Sequence, residues 1–267
     1  MKSMNRLFSL PYYLWLILFV FAPLLLVLYE ALTVNGHFSF DHFITLFTSK
    51  TYITMMFSSL FYAFIITMVT LIIAYPAALV LTHLKHKQLW LMLIILPTWI
   101  NLLLKAYAFM GILGRHGAVN QFLSLIGLSQ EQLLFTTTSF VIVAVYIQIP
   151  FMIMPIFNAL EEIDSAYISA AADLGASKLQ TFIKIIWPLS LPGVKAGVQA
   201  VFIPSLSLFM LTRLIAGNRV ITLGTAIEQH FLITQNWGLG SAIGVLLIIA
   251  MIIIMLLTAN KKKGGKR

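Results

Sequence analysis

Cysteine and charge are what this chain has least of. Its 267 residues include no cysteine, and only 9% are Asp, Glu, Lys or Arg, against about 25% in soluble domains. The first absence excludes disulfides and thiolate metal or redox chemistry. Metal-binding histidine patterns are missing too. The six histidines, at 37, 42, 83, 86, 116 and 230, fall in loops or span ends, and none forms a His-Glu-x-x-His motif. No phosphate-binding loop is present: the only Gly-Lys pair, Gly265-Lys266, is followed by Arg267, and Asn260 stands where the leading glycine belongs. The chain therefore binds no nucleotide by that motif, and no cofactor or metal is expected on it.

What fills the space is apolar, at 60% hydrophobic residues. Six runs, Pro11–Leu32, Phe57–Leu81, Leu89–Ala108, Phe140–Leu160, Val194–Leu211 and Gly238–Thr258, approach the ~20 residues that cross a ~30 Å hydrocarbon layer as helix. Backbone in lipid must satisfy its own hydrogen bonds, so these runs are expected to be helical. The fold class is an all-α, polytopic transmembrane bundle of six spans, forming one domain over 1–267. The fifth run is the shortest. The first carries Pro23 and no small-x-small cleavage site follows it, so it reads as a retained span rather than a signal peptide.

The excess of 17 basic over 8 acidic residues follows topology. Placing the N-terminus, the 82–88 loop, the 161–195 segment and the tail on one side puts Lys2, Arg6, Lys85, Lys87, Lys178, Lys184, Lys195, Lys261, Lys262, Lys263, Lys266 and Arg267 there. Only Lys50, Lys105, Arg115, Arg213 and Arg219 remain elsewhere. The richer side is expected to be cytoplasmic, with both termini inside. The basic tail then reads as an anchor at anionic headgroups, not as a nucleic-acid surface.

One stretch departs from the apolar pattern. Between the fourth and fifth spans, about 161–190, lies a polar, small-residue insert. Asp164 is placed to N-cap a helix through Ser165–Leu174, which carries alanine at 166, 170, 171 and 172. Gly175 follows where a left-handed C-terminal cap belongs. Ser177 and Gln180 then form a capping-box pattern, and Leu179, Phe182, Ile183 and Ile186 share one face of a second helix. Pro188 and Pro192 are expected to stop that helix before the fifth span. The product is a compact elbow at the cytoplasmic face. Periodicity alone leaves open whether it rests among headgroups or docks a partner; the small residues favour docking.

The elbow resembles the signature of the permease subunits of type I ATP-binding-cassette importers (MetI-like architecture): Glu-Ala-Ala, a glycine, then Ile-x-x-Pro about nine residues on. Ala170, Ala171, Gly175, Ile185 and Pro188 stand at matching positions, with Asp173 inside the motif, while Ser169 replaces the usual glutamate. The segments at 97–120, 145–155 and 172–193 look like the PotB-type subunits of spermidine/putrescine importers. The resemblance implies a multi-pass protein of a bacterial inner membrane, paired with a second homologous permease. It also implies a dimer of ATPase subunits that binds ATP and meets the elbow, and an external substrate-binding protein at the outer loops 33–52, 111–135 and 213–237. The implied role is transport, not catalysis.

Further candidates lie along the spans. Lys105, with Asn101, is a translocation-path candidate or a lysine snorkelling to the headgroups. Trp99, Tyr107, Phe109 and Tyr146 could present ring faces to an organic cation or serve as interfacial anchors. Pro150 and Pro155 mark a hinge or a static kink. Glu30 and Glu228 are placed outside, as solvated carboxylates or cation contacts. Two rival classes remain. An intramembrane serine protease would use Ser241, but Leu239 occupies the glycine position of Gly-x-Ser and no histidine lies mid-span. An ion-driven transporter would place ionisable residues deep in its spans, where only Lys105 qualifies.

Overall fold

The computed structural model describes residues 11–258. Among the described residues five helices are long and apolar enough to cross a membrane: α1 (Pro11–Ala31), α3 (Lys50–Thr82), α7 (Thr137–Glu161), α9 (Lys178–Ser205) and α12 (Trp237–Thr258). A sixth span is a bent pair. α4 (Lys87–Ile95), extended by a 3-10 turn over Leu96–Trp99, meets α5 (Leu102–Leu113) and α6 (Ala118–Leu125) at 94°. Short elements fill the loops: a hairpin of β1 (Thr33–Val34) and β2 (His37–Phe38), α2 (Asp41–Thr48), α8 (Ser165–Asp173), α10 (Phe209–Leu214) and α11 (Leu223–Glu228). The terminal basic residues used for orientation (Lys2, Arg6, Lys261–Lys263, Lys266, Arg267) lie outside the described residues.

Two expected spans differ. The third, read as one helix over Leu89–Ala108, breaks between Trp99 and Leu102. Pro97 supplies no backbone donor, Ile100 turns extended, and Asn101 caps the new helix by accepting the Leu103 N–H at 2.8 Å. The fifth, read as Val194–Leu211, runs from Lys178 to Ser205 instead. Pro188 and Pro192 do not stop it. A π turn over Phe182–Ile186 precedes Pro188, with the Trp187 N–H reaching back to the Phe182 carbonyl, so the missing donor is absorbed by rewinding the helix rather than ending it. The second span also begins earlier than expected, at Lys50.

α3, α7 and α9 pack together around Ile66, Tyr75, Phe140, Ile153, Ile156 and Val201. Small residues allow the close approach that drives association in lipid, where burial of apolar surface brings no gain. A Cβ on Gly193 would lie 2.5 Å from the Ala159 Cβ of α7, and one on Gly197 2.6 Å from the Met152 sulfur. α7 stays helical through Pro150 and Pro155. A second cluster joins α2, α12 and the end of α1 through Ala31, Leu46, Leu206 and Ile243. α1 otherwise presents leucine, phenylalanine and tyrosine outward, as a lipid-facing span does.

Candidate functional site

The elbow is built from local backbone chemistry. Asp164 Oδ1 accepts the Ala166 N–H at 2.9 Å and starts α8. The helix ends in a Schellman pattern: the Gly175 N–H donates to the Ala172 carbonyl and the Ala176 N–H to the Ala171 carbonyl, both at 2.9 Å. Gly175 sits at φ +76°, a region open to glycine at no steric cost. Ser177 and Gln180 then close a full capping box at the start of α9. These caps agree with the sequence reading.

The second limb of the elbow is not a separate helix; it is the first turn of α9. Its expected apolar face splits as a consequence. Phe182 and Ile186 pack on the α3–α7–α9 core, whereas Leu179 and Ile183 stay exposed. Leu179 at 67%, Leu174 at 87% and Tyr167 at 58% exposed form an apolar outer surface. Ser169, Ala170, Asp173 and Gly175 are exposed beside it. Ala171 is turned inward and buried, Ile185 is half-buried, and Pro188 lies within the first turn above the π segment. Lys87 and Glu161 pair across the base of the bundle, tying the start of α4 to the end of α7.

The break in the third span makes a second candidate site. A pocket of about 230 Å³ is lined by Ile94, Pro97, Thr98, Lys105, Tyr146, Ile147, Ile149 and Pro150. Lys105 and Tyr146 therefore converge, joined by Pro150. Tyr146 is steadied by an edge-on contact with Phe109, at 5.0 Å between centroids. The other path candidates do not join them. Trp99 is 81% exposed on the far side of α4, Asn101 is spent on capping α5, and Tyr107 points outward. Pro97 followed by Asn101 was the signal for the break; hydropathy hid it because the flanking residues are uniformly apolar. No acidic residue lines the pocket.

On the expected outer side, Arg213 pairs with Glu228 at 3.1 Å, and Tyr52 hydrogen-bonds His230 at 2.8 Å. Burial holds the His230 imidazole below its ordinary pKa. Ser241, the residue a protease reading would use, is buried with an Oγ that has no hydrogen-bond partner, so no base is paired with it among the described residues. No cluster of three potential metal ligands occurs among the described residues either.

Comparison with known families places this geometry. Residues 69–261, which span both candidate sites, match the family of binding-protein-dependent transport system inner membrane components. The chain is a permease of this family. Among relatives, the spermidine/putrescine transport system permease protein PotB of Escherichia coli K12 is 37% identical over 89% of this permease and 90% of its own length. PotB of Haemophilus influenzae is 36% identical, over 92% and 91%. The molybdenum transport system permease protein ModB of Mycobacterium bovis is 25% identical, over 88% and 89%. In fold, the permease matches a bacterial ABC transporter involved in alginate import, with TM-score 0.79 over 96% of this permease and 94% of that chain, at 19% identity. A second alginate ABC transporter structure, in complex with an alginate-bound periplasmic protein, matches with TM-score 0.82, over 96% and 93%, also at 19% identity. The permease is thus a multi-pass inner-membrane transport subunit, as expected from the sequence.

Proposed function

We propose that this permease is one of two membrane subunits of an ATP-driven importer of spermidine and putrescine, with both termini in the cytoplasm. The observation that carries the proposal is the elbow: a doubly capped corner with an apolar exposed surface, continuous with a membrane-spanning helix. Ser169, Ala170, Ala171, Asp173, Gly175, Ile185 and Pro188 make up the coupling segment. A cytoplasmic ATPase dimer binds ATP and closes; the elbow, seated on one ATPase subunit, moves with it; α9 transmits the displacement to the bundle as a rigid-body change of access. An external binding protein delivers cargo to the outer segments 33–52, 111–135 and 213–237.

The polyamine assignment rests on the PotB relatives. The Lys105–Tyr146 pocket belongs to the path in this scheme, with the Tyr146 ring available to an ammonium group. A lysine beside it lowers affinity for a polycation, which favours release over retention. Seven of the eight acidic residues lie at the elbow or in the expected outer segments, and Glu30 stands at the expected outer end of the first span, so carboxylates that hold ammonium groups midway across the membrane come from the second subunit.

The test is uptake of radiolabelled spermidine into proteoliposomes holding this permease, a second permease and the ATPase proposed as its partners, and the binding protein outside. ATP-dependent uptake, competed by putrescine, is expected. Uptake that survives ATP removal and collapses with the ion gradient refutes the ATP-driven reading. ATP-dependent uptake of molybdate but not polyamine refutes the cargo.

A further inference from the structure

The junction between elbow and membrane holds a feature that the coupling scheme alone does not require. α9 presses on α7 at Gly193, whereas at its elbow end Leu179, Ile183 and Lys184 are exposed and only Thr181 is buried, with Phe182 half-buried against the core. Between Leu179 and Gly193 lies the π turn Phe182–Ile186, followed at once by Pro188. A π turn is underwound and Pro188 withholds the next donor, so this is the softest length of the helix. A load applied at the elbow would bend α9 here and go no further.

Tyr75, from the neighbouring α3, spans this weak point. Its ring lies edge-on to Phe182 at 6.0 Å and against Trp187 at 5.0 Å between centroids, the residues at the two ends of the turn. Its hydroxyl is 2.8 Å from Ser190 Oγ, and Ser190 in turn donates to the Trp187 carbonyl at 3.1 Å. Since the serine proton is committed to that carbonyl, Tyr75 donates and Ser190 accepts. Both side chains are buried, at 6% and 0% exposed, so the bond is not shared with water or lipid.

We propose that Tyr75 is a positioning residue that splints the π turn of α9, so that motion of the elbow reaches the bundle instead of being lost at the turn. This inference rests on the coupling role proposed for the elbow.

The test uses Tyr75→Phe, which keeps the ring and removes the hydroxyl, together with Ser190→Ala and the double variant. In the reconstituted transporter, ATP hydrolysis should stay within about twofold of wild type. Polyamine moved per ATP should fall about threefold to tenfold, the scale of one buried hydrogen bond, and the double variant should be no worse than either single. Ser190→Thr, which keeps a hydroxyl, should restore most of the yield. Because the chain has no cysteine, spin labels at Ala176→Cys and Ala196→Cys report the elbow-to-span distance directly. The splinted wild type should give a narrow distribution, and Tyr75→Phe and Ser190→Ala a broad one. Wild-type width and wild-type yield in both variants overturn the splint. That result stands whether or not an ATPase docks, whereas a wild-type elbow that captures no ATPase while its distance distribution narrows with Tyr75 overturns only the coupling role.

Discussion

Replacing Gly175 separates two reasons why a glycine occupies the corner of the elbow. Its φ of +76° costs an L-residue about 1–2 kcal/mol, with asparagine at the low end and β-branched residues beyond it. A Cβ built at this position meets no atom within 4 Å, so nothing else in the permease opposes a side chain. The corner also holds the two Schellman bonds at 2.9 Å, each contributing about 1 kcal/mol, which are lost if the backbone relaxes to negative φ. Gly175→Ala should therefore disfavour the bent corner by about 1.4 kcal/mol or tenfold in population, Gly175→Asn by less and Gly175→Val by more. Spermidine transported per ATP hydrolysed in proteoliposomes should fall in the order Gly, Asn, Ala, Val, with the same amount of permease in the membrane. Normal transport by Gly175→Val would refute the need for the corner. Asparagine as damaging as valine would refute the backbone argument and show that the docking partner needs the empty space.

Gly193 makes the opposite case, since its φ is ordinary and its surroundings are full. Gly193→Ala should overpack the α7–α9 contact at about 1–3 kcal/mol and lower the melting temperature, followed by tryptophan fluorescence, by several degrees; Gly111→Ala, inside α5 with open space around it, should instead raise it slightly, since alanine is the better helix former by up to about 1 kcal/mol. The depressed His230 pKa gives a pH dependence of defined sign. A histidine held neutral by burial stabilises its surroundings fully above its unfolded value of about 6.5, and that contribution is lost as pH falls from there through the lower folded value. Hydrogen-exchange protection of 229–236, corrected for intrinsic rates, should therefore drop below about pH 6.5, and His230→Gln should flatten the dependence.

How much could be read without coordinates depended on whether the determining contacts were local. Asp164, Gly175, Ser177 and Gln180 act on backbone groups within a few residues, and all four stand where their spacing placed them. Of the residues that resemble the importer signature, Ala170, Ala171, Gly175, Ile185 and Pro188, only Gly175 is among these four. Pro188 and Pro192 were misleading because proline reports only a missing donor. Whether a helix ends there or rewinds through a π turn was decided by Tyr75, Phe182 and Ile186 packing across α3 and α9. Among the path candidates, Lys105 and Tyr146 converge while Trp99, Asn101 and Tyr107 do not, because a 94° break rotates the two halves of one apolar run into different surroundings.

The sequence by itself settled the solvent, the helical class, the six apolar stretches and the capped corner, since hydropathy and caps act over a few residues and lipid leaves the backbone no other partner. Tertiary structure alone decided where the third span breaks, that the elbow's second limb and the fifth span are one helix, and which side chains meet at the pocket. These depend on how distant helices press together, and a uniformly apolar code does not record which face meets which.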